Sequence, residues 1–438
     1  MTGLPHHTLD LTLELLESLI PWRSVAGELE SQRGLAAWLE QWLVEEVDAQ
    51  VVLPVADQPQ TSPPLVHVRI DAGAPVTVVL YNAYDVLPAT ADGWQVDPFL
   101  GGVRHCPQWG DVFIARGAEK SKGPLAGMLM VVRELYQSGL LHVNLEIVLE
   151  GEQSCASATL RRYLLRAPCP VPPAEAVLFP ALCEYDGGAP RVFLGFPGMT
   201  TGRLRLKSGA RGGSQTPPDA SSAASRLVAA LNAIAPAQPE TPPLDAGTAS
   251  WLDELARQVD PEEALRLYQR AALTLSAAPY ETLVRLPGSA ALALSEPKTL
   301  PADGRESLAP EACAAFTLLT PPGSDPQASA ARLQERLMQP DLYSAELEID
   351  DGYAGARLDT QAAGVMELLM SYQQQQARAQ IWPWSPGFAP ASAFAPVAPA
   401  FVMGGLGTGG NAYGVDEFIT LKGLARFQRS LRDWLLCF

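Results

Sequence analysis

Residues 115–124 read ARGAEKSKGP, and an apolar helical pattern, GMLMVVRELYQSGL at 127–140, follows. The stretch is a short glycine-broken turn that feeds a helix and carries Arg116, Glu119, Lys120 and Lys122 within seven positions. How Lys120 is read decides most of what the chain can do.

Upstream of the turn, apolar residues recur at helical spacing from Leu9 to Ile20, where Pro21 stops them, and again from about Ser31 to Val47. Val51–Val55, Leu65–Ile70 and Val76–Tyr81 then read as strands. The last is a continuous apolar run, the pattern of a strand covered on both faces. Asp85 to Gly110 is rich in Pro, Gly and Trp and reads as a loop. Downstream, Val143–Leu149 is a second buried strand, Ala156–Leu165 a short helix and Ala176–Phe179 another strand. This alternation predicts an α/β layer with a mostly parallel sheet.

After Gly198 the character changes. Strand TTGRLRLK, a Gly/Ser/Pro loop, a helix at about Ala220–Ile234 with Asp219 as N-cap, and a Pro-rich stretch at Ala235–Ala246 come first. Short helical patterns, Thr282–Leu286, strand Ala312–Thr320, helix Ala328–Met338 and strand Ser344–Ile349 follow. The mixed order suggests an inserted α+β module, because Gln361–Gln375 and Ala400–Met403 revert to the earlier style and an amphipathic helix, Leu421–Leu436, ends the chain. The expected domains are 1–197 with 356–438, and 198–355. The Pro/Ala-rich but aromatic segment 382–399 reads as ordered packing.

A formal charge of −17 argues against nucleic-acid binding, which needs basic patches to neutralise phosphate. No apolar run approaches the ~18 residues of a membrane span. The N-terminal stretch lacks a basic n-region and does not read as a signal peptide. The six cysteines are dispersed without CxxC, which predicts reduced thiols in a cytoplasmic protein.

Four motifs, in order, carry a resemblance that spans nearly the whole chain. VVLYNAYDVLPA (78–89) with GWQVDPF (93–99), ARGAEKSKGPLAG (115–127), LEIVLEGEQSCAS (145–157) and FVMGGLGTGGNAYGVDEF (401–418) resemble the site motifs of the co-catalytic zinc aminoacylases and carboxypeptidases. Carnosinase, succinyl-diaminopimelate desuccinylase and glutamate carboxypeptidase belong to that family. The resemblance implies an α/β zinc-peptidase-like domain with a mostly parallel central sheet, plus an inserted α+β lid that is often the dimerisation domain in relatives. It also implies two zinc ions about 3.5–4 Å apart, a bridging carboxylate and a glutamate base acting on the bridging water.

Matched position by position, the ligands are replaced. The first His falls on Ala83, and the Asp that orients it remains as Asp85. The bridging Asp falls on Lys120, the general-base Glu on Gln153 and the adjacent Glu ligand on Ser154. The next carboxylate falls near Phe179–Ala181, where Pro180 stands, and the last His falls on Tyr413. The lid's transition-state His falls on Lys207 if KSGARGG aligns, and the lid arginine falls on Thr317. A lysine ammonium ~4 Å from a divalent ion is repelled by about 8 kcal/mol at an effective dielectric of about 20. A glutamine cannot take a proton from water near neutrality.

The expectation is a metal-free homologue with no cofactor, serving a structural or regulatory role and possible as a homodimer or a heteromer with an active paralogue through the lid. Two alternatives stay open. One is a metal-free lyase, transferase or condensing enzyme of changed mechanism carried by Lys120, Asp85 or Tyr413, with Gln153 and Ser154 as the other candidates of the remnant cleft. The other is a protein binding an amino acid or peptide in the old cleft, with Lys207, Thr317 and Trp384 as contacts. An active zinc hydrolase is the least favoured reading. For Lys120 itself, a solvated loop lysine, a metal replacement paired with Asp85 and a catalytic lysine are weighed. Cys155 is expected to be a small buried thiol rather than a nucleophile. His105–Cys106 and Cys183–Glu184 could form an unrelated metal site only if their loops meet. His6 and His7 are expected in a frayed terminus, and His67 and His142, which flank strands, as packing or surface residues. The glycines at 404–410 lack GxGxxG order, so a tight crossover is preferred to a phosphate cradle.

Overall fold

A computed structural model describes residues 6–207, 223–234, 253–258, 291–294, 298–300, 311–338 and 345–438. Asp219, the Pro-rich stretch 235–246 and Thr282–Leu286 lie outside them. The chain divides into two compact units, one of 1–194, 358–381 and 389–438, the other of 195–357 and 382–388.

The first unit begins with helices α1 (His6–Leu19) and α2 (Leu29–Val47). The backbone of His6 already belongs to α1, so the expected frayed terminus is shorter than its sequence suggested. Strands β1 (Gln50–Leu53), β2 (Val66–Ile70) and β3 (Thr77–Ala83) follow. A hairpin of β4 (Gly102–Cys106) and β5 (Gly110–Ile114) leads to helix α3 (Lys122–Gln137). This hairpin corrects the reading of 85–110 as loop. Next come β6 (Asn144–Glu150), helix α4 (Ala158–Leu164) and β7 (Ala176–Pro180).

The central sheet has six strands in the order β1, β2, β6, β3, β7 and Phe401–Gly404. The first two pairings are antiparallel and the other three parallel. In β3 every residue from Val78 to Ala83 is buried, as a parallel strand with both faces covered demands. The ends of β3, β6 and β7 therefore emerge together, which sets Ala83, Glu150 and Pro180 along one edge of the sheet.

Helix α3 packs against α1 and the C-terminal helix Leu421–Leu435. The latter buries Leu424, Phe427, Leu431, Trp434 and Leu435 on one face, and its Thr420 cap accepts a hydrogen bond from Gly423 N at 2.9 Å. A Cβ on Gly127 would meet Phe427 at 2.8 Å, so glycine sets the spacing of the two helices. The glycines at 404–410 serve the same end: a Cβ at Gly404 would strike Leu368, and one at Gly407 the Gly423 carbonyl.

The turn before α3 is held by one carboxylate. Glu417, fully buried, precedes the strand Phe418–Thr420, which pairs with β5. Its Oε2 accepts from Arg116 Nη1 at 2.8 Å and Gly117 N at 3.1 Å, and its Oε1 accepts from Glu119 N and Lys120 N, both at 3.1 Å. Four donors fill the roughly four lone-pair directions of a carboxylate. Gly117 has φ +85°, and a Cβ there would come within 2.8 Å of Val86. Lys122, fully buried, donates to the carbonyls of Ile20 and Trp22; burial pulls its pKa down to about 7 although Glu417 opposes the shift.

The second unit has an antiparallel sheet of strands Ala291–Leu294, Glu311–Thr320, Gly198–Lys207 and Ala345–Tyr353, with Lys298–Leu300 also paired to Glu311–Thr320. Helices Ala223–Ile234 and Pro326–Leu337 bury Leu227 and Leu333 with Leu204, Leu206, Phe316 and Leu318 of the sheet. The sheet's other side carries Arg203–Asp350, Arg205–Glu348 and Lys207–Glu346 ion pairs. Trp382 and Trp384 are both buried, so the segment after 382 is ordered packing.

Two outcomes follow from these buried groups. Glu417→Ala leaves the Arg116 guanidinium and three N–H groups without an acceptor, and urea unfolding should read a loss of about 3–5 kcal/mol; Glu417→Gln should lose less. Glu150, fully buried at the end of β6, is hydrogen-bonded by Tyr81 and by Ser157 Oγ at 2.7 Å, and burial pushes its pKa up to about 8 against those bonds. A raised carboxyl pKa stabilises the fold fully below the unfolded value of 4.5 and is lost as pH rises through 8. Glu150→Gln should remove a falling stability slope of up to about 1.4 kcal/mol per pH unit across that window.

Candidate functional site

A small solvent-open cleft with a cavity volume of about 20 Å³ lies where the ends of β3 and β6 meet the 116–121 turn and the segment before Phe418–Thr420. Asp85, Arg116, Lys120, Ser121, Gln153, Ser154, Tyr413 and Glu417 give it its polar wall, and Ala83 and Val86 line it as well. All five residues singled out as remnant-site candidates (Asp85, Lys120, Gln153, Ser154 and Tyr413) are brought together here.

Their pairing differs from the expectation in one respect. Lys120 does not pair with Asp85. Its Nζ lies 3.0 Å from Glu119 Oε1 and 5.1 Å from the centre of the Tyr185 ring. The neighbouring carboxylate reaches the ammonium first, and the aromatic face completes the cation's surroundings. Burial works against the charge on Lys120, but the Glu119 carboxylate outweighs it and holds the pKa above the ordinary lysine value. Lys120 is therefore a fixed ammonium, neither a solvated loop lysine nor a neutral amine.

Asp85 is buried and turns instead to the loop after β6. Its Oδ1 accepts from Gln153 N at 3.2 Å and its Oδ2 from Ser154 N at 2.9 Å. Burial raises its pKa, and the bonds from Ser154 and Gln153 pull in the other direction. Gln153 opens a short 3₁₀ turn, Gln153–Cys155, before α4. Cys155 is exposed, which corrects the expectation of a buried thiol, because this turn faces outward rather than into the sheet. Burial of the thiol group and nearby Asp85 and Glu152 raise its pKa against the Ser154 hydrogen bond.

Tyr413 sits at φ +62° in the turn before Glu417, half-exposed at 49%, and lines the pocket with its neighbour in space Lys120. Pro180 ends β7, and its carbonyl accepts from Asn82 Nδ2 at 3.3 Å. Lys207, Thr317 and Trp384 belong to the second unit. Lys207 Nζ pairs with Glu346 at 3.2 Å, Thr317 lies mid-strand opposite Thr201, and Trp384 is buried with the Arg357 guanidinium over its ring at 5.7 Å.

The other sequence candidates are occupied elsewhere. His105 pairs with Asp111 at 2.9 Å, Cys183 is buried, and Glu184 binds Arg426 and Gly407 N. His67 is fully buried between Tyr163 and Glu146. The roles of two residues that fix Lys120 escaped the sequence reading. Glu119 had an acidic side chain next to Lys120 as its signal, and Tyr185 had none, since its loop position says nothing of the cation it meets.

Among the described residues, no helix is long and apolar enough to cross a membrane. A family model, Peptidase family M20/M25/M40, matches residues 79–436. The cysteinylglycine-S-conjugate dipeptidase of Corynebacterium striatum is 27% identical over 231 residues, 49% of this chain and 47% of that protein, so the match spans about half the relative's length. Among solved structures, the M20 family metallo-carboxypeptidase Sso-CP2 from Sulfolobus solfataricus has a TM-score of 0.81 at 19% identity, covering 97% of this chain and 98% of that one. Human carnosine dipeptidase 1 has a TM-score of 0.74 at 16% identity, covering 98% and 96%. At these identities the two structures carry the α/β fold with its mixed, mostly parallel sheet. The family model covers most of the chain, and the chain belongs to Peptidase family M20/M25/M40.

Proposed function

We propose that this chain is a metal-free member of its peptidase family, without dinuclear zinc hydrolysis, and that its site has been kept as a structural or binding element. The observation that carries this is Lys120: its ammonium is locked by Glu119 in the pocket where, by the motif match, the bridging carboxylate would stand.

The residues present do not fit two zinc ions. Zinc is held by His, Cys and carboxylates, and the motif positions supply Ala83, Lys120, Gln153, Ser154 and Tyr413 instead. The two carboxylates that line the pocket are engaged, Glu417 by four donors and Asp85 by two backbone N–H groups. Among the described residues, no three His, Cys, Asp or Glu side chains are grouped to hold a metal ion. No step is therefore derived through a metal.

Hydrolysis by the protein's own groups finds little support either. General-base work needs a group that accepts a proton near neutrality. Gln153 has none to offer, Lys120 is held charged, and the Cys155 thiol is raised above its ordinary value. These facts weigh against the changed-mechanism reading where it rests on Lys120, and leave it to Asp85, whose pKa burial raises, and to Tyr413.

A second reading has its own observation. The cleft is lined by polar groups and open to solvent rather than closed into the core, which favours a small retained ligand over a purely structural remnant. In this reading the second unit remains the lid and dimerisation module of a binding or regulatory protein, alone or paired with an active paralogue.

Elemental analysis of the purified chain, with hydrolysis of dipeptides and of a cysteinylglycine S-conjugate followed with and without a chelator, tests the proposal. The expected result is zinc well below one ion per chain and no chelator-sensitive turnover. About two zincs per chain together with hydrolysis abolished by the chelator would defeat it.

A further inference from the structure

The chain has four Asp–Gly steps, at Asp92, Asp186, Asp303 and Asp351. The third lies outside the described residues. At such a step a main-chain nitrogen meets least hindrance in reaching the carboxyl group before it, because glycine has no Cβ. The three described steps are held differently. The Gly187 N–H, after Asp186, is donated to the Glu184 carbonyl at 3.3 Å. Asp92 and Gly93 sit inside a turn closed by Trp94 N and the Ala91 carbonyl at 3.3 Å, with Gly93 at φ +79°. At Gly352 the N–H is donated to Oδ1 of Asp351 itself, at 2.8 Å. Among the described residues this is the one Asp–Gly step whose nitrogen is hydrogen-bonded to its own aspartate. We infer that Asp351–Gly352 is a modification site, where the Gly352 nitrogen captures the Asp351 carboxyl carbon and reroutes the main chain through an isoaspartyl bond.

The strand that carries the step leaves it room. Ala345–Tyr353 pairs with Gly198–Lys207 and, among the described residues, with no strand on its other side. Asp351 lies opposite Thr201 and Ile349 opposite Gly202, so Asp350 is an extra, bulged residue that interrupts the ladder beside the step. Gly352 is exposed and Asp351 half-buried. A nitrogen already bonded to Oδ1 is within reach of the carbon that bears that oxygen, so little of the barrier goes into bringing the reactants together. The reaction balances with water alone. The nitrogen bonds to Cγ, and the amide proton and the carboxyl hydroxyl leave as water. Water then opens the cyclic imide at one of its two carbonyls. Opening at Cγ restores aspartate, whereas opening at the main-chain carbonyl leaves the chain joined through Cγ and frees an α-carboxylate. No charge is gained or lost, but the main chain is one carbon longer. The pairings that follow, Gly352 with Thr200 and Tyr353 with Met199, then lose their register. The Tyr353 ring, 5.2 Å from that of Phe388, loses its fixed place with them. The step lies in the second unit and is independent of what the cleft at Lys120 holds.

The test is incubation of the folded full-length chain at neutral pH in heavy-oxygen water, followed by digestion and fragmentation mass spectrometry that separates isoaspartate from aspartate. Position 351 should take up one heavy oxygen per ring opening and should accumulate isoaspartate ahead of Asp92 and Asp186. Gly352→Ala should slow this about tenfold, because a Cβ hinders the nitrogen and restricts the turn of the backbone that the ring needs. That Cβ would meet no atom nearer than Met199 O and Thr200 Oγ1, both at 3.5 Å, so the variant should keep the fold. In urea the three steps should react at similar rates, since the geometry that favours Asp351 is gone. No isoaspartate at 351, faster reaction at Asp92 or Asp186 in the folded chain, an unchanged rate in Gly352→Ala, or a preference for Asp351 that persists in urea would overturn the inference. If Gly352→Ala does not fold, the ranking of the three steps in the unaltered chain, folded and in urea, decides.

Discussion

The carboxylate of Glu417 is the constraint on which the site depends. It lies about 300 positions from the turn it holds, fully buried, and gathers Arg116 with the backbone of 117, 119 and 120 onto two oxygens. The bonds to 117, 119 and 120 are made to backbone N–H groups, so they fix the path of the chain without fixing which side chains it carries. The turn can thus present Lys120 as firmly as it would present an acid. What shapes the turn is separate from what the turn displays.

Burying charge is costly unless each charge is paired and hydrogen-bonded. The pocket meets this rule three times over, and each solution is local. Arg116 and Glu417 form a buried pair at 2.8 Å, and the guanidinium also lies 5.2 Å from the Trp94 ring. Lys120 finds Glu119, its chain neighbour, and the face of Tyr185. Asp85 is satisfied by two successive backbone N–H groups of the 153–154 turn. None of these arrangements needs an ion from solution to balance it.

Much of the fold was legible because burial leaves a plain mark on sequence. The apolar run of β3 and the helical spacing of the C-terminal helix could be read directly, and their observed ends differ from the expected ones by a residue or two. The β4–β5 hairpin was not legible. Its Val103, Arg104 and His105 are exposed, so no apolar alternation marked the strand, and the surrounding glycines and prolines suggested a loop. The site residues could be listed from the motifs, but their partners could not. Sign alone allowed Lys120 to pair with Asp85 or Glu119, and only the path of the turn, set by Glu417, decides for Glu119. Cys155 was misjudged for a related reason: a small thiol next to a buried strand reads as core, yet the 3₁₀ turn carries it outward.

The candidate positions are not equivalent in what they bind the fold to. Ala83 meets the core through a small side chain, Gln153 holds Asp85 with a backbone N–H that any residue other than proline would supply, and Ser154 adds its side-chain hydroxyl to its own N–H. Lys120 is different, because Glu119 is almost wholly buried and its pKa, raised by burial, is held back chiefly by that lysine. Removing the cation would leave Glu119 near Glu417 and Asp85 with Arg116, already paired to Glu417, as the cation described beside them. The substitution at 120 is therefore tied to its neighbour at 119 in a way the other exchanges are not. Lys120 meets a buried counter-charge at 119 and an aromatic face at 185, so the ammonium, its chain neighbour and the ring are fixed together.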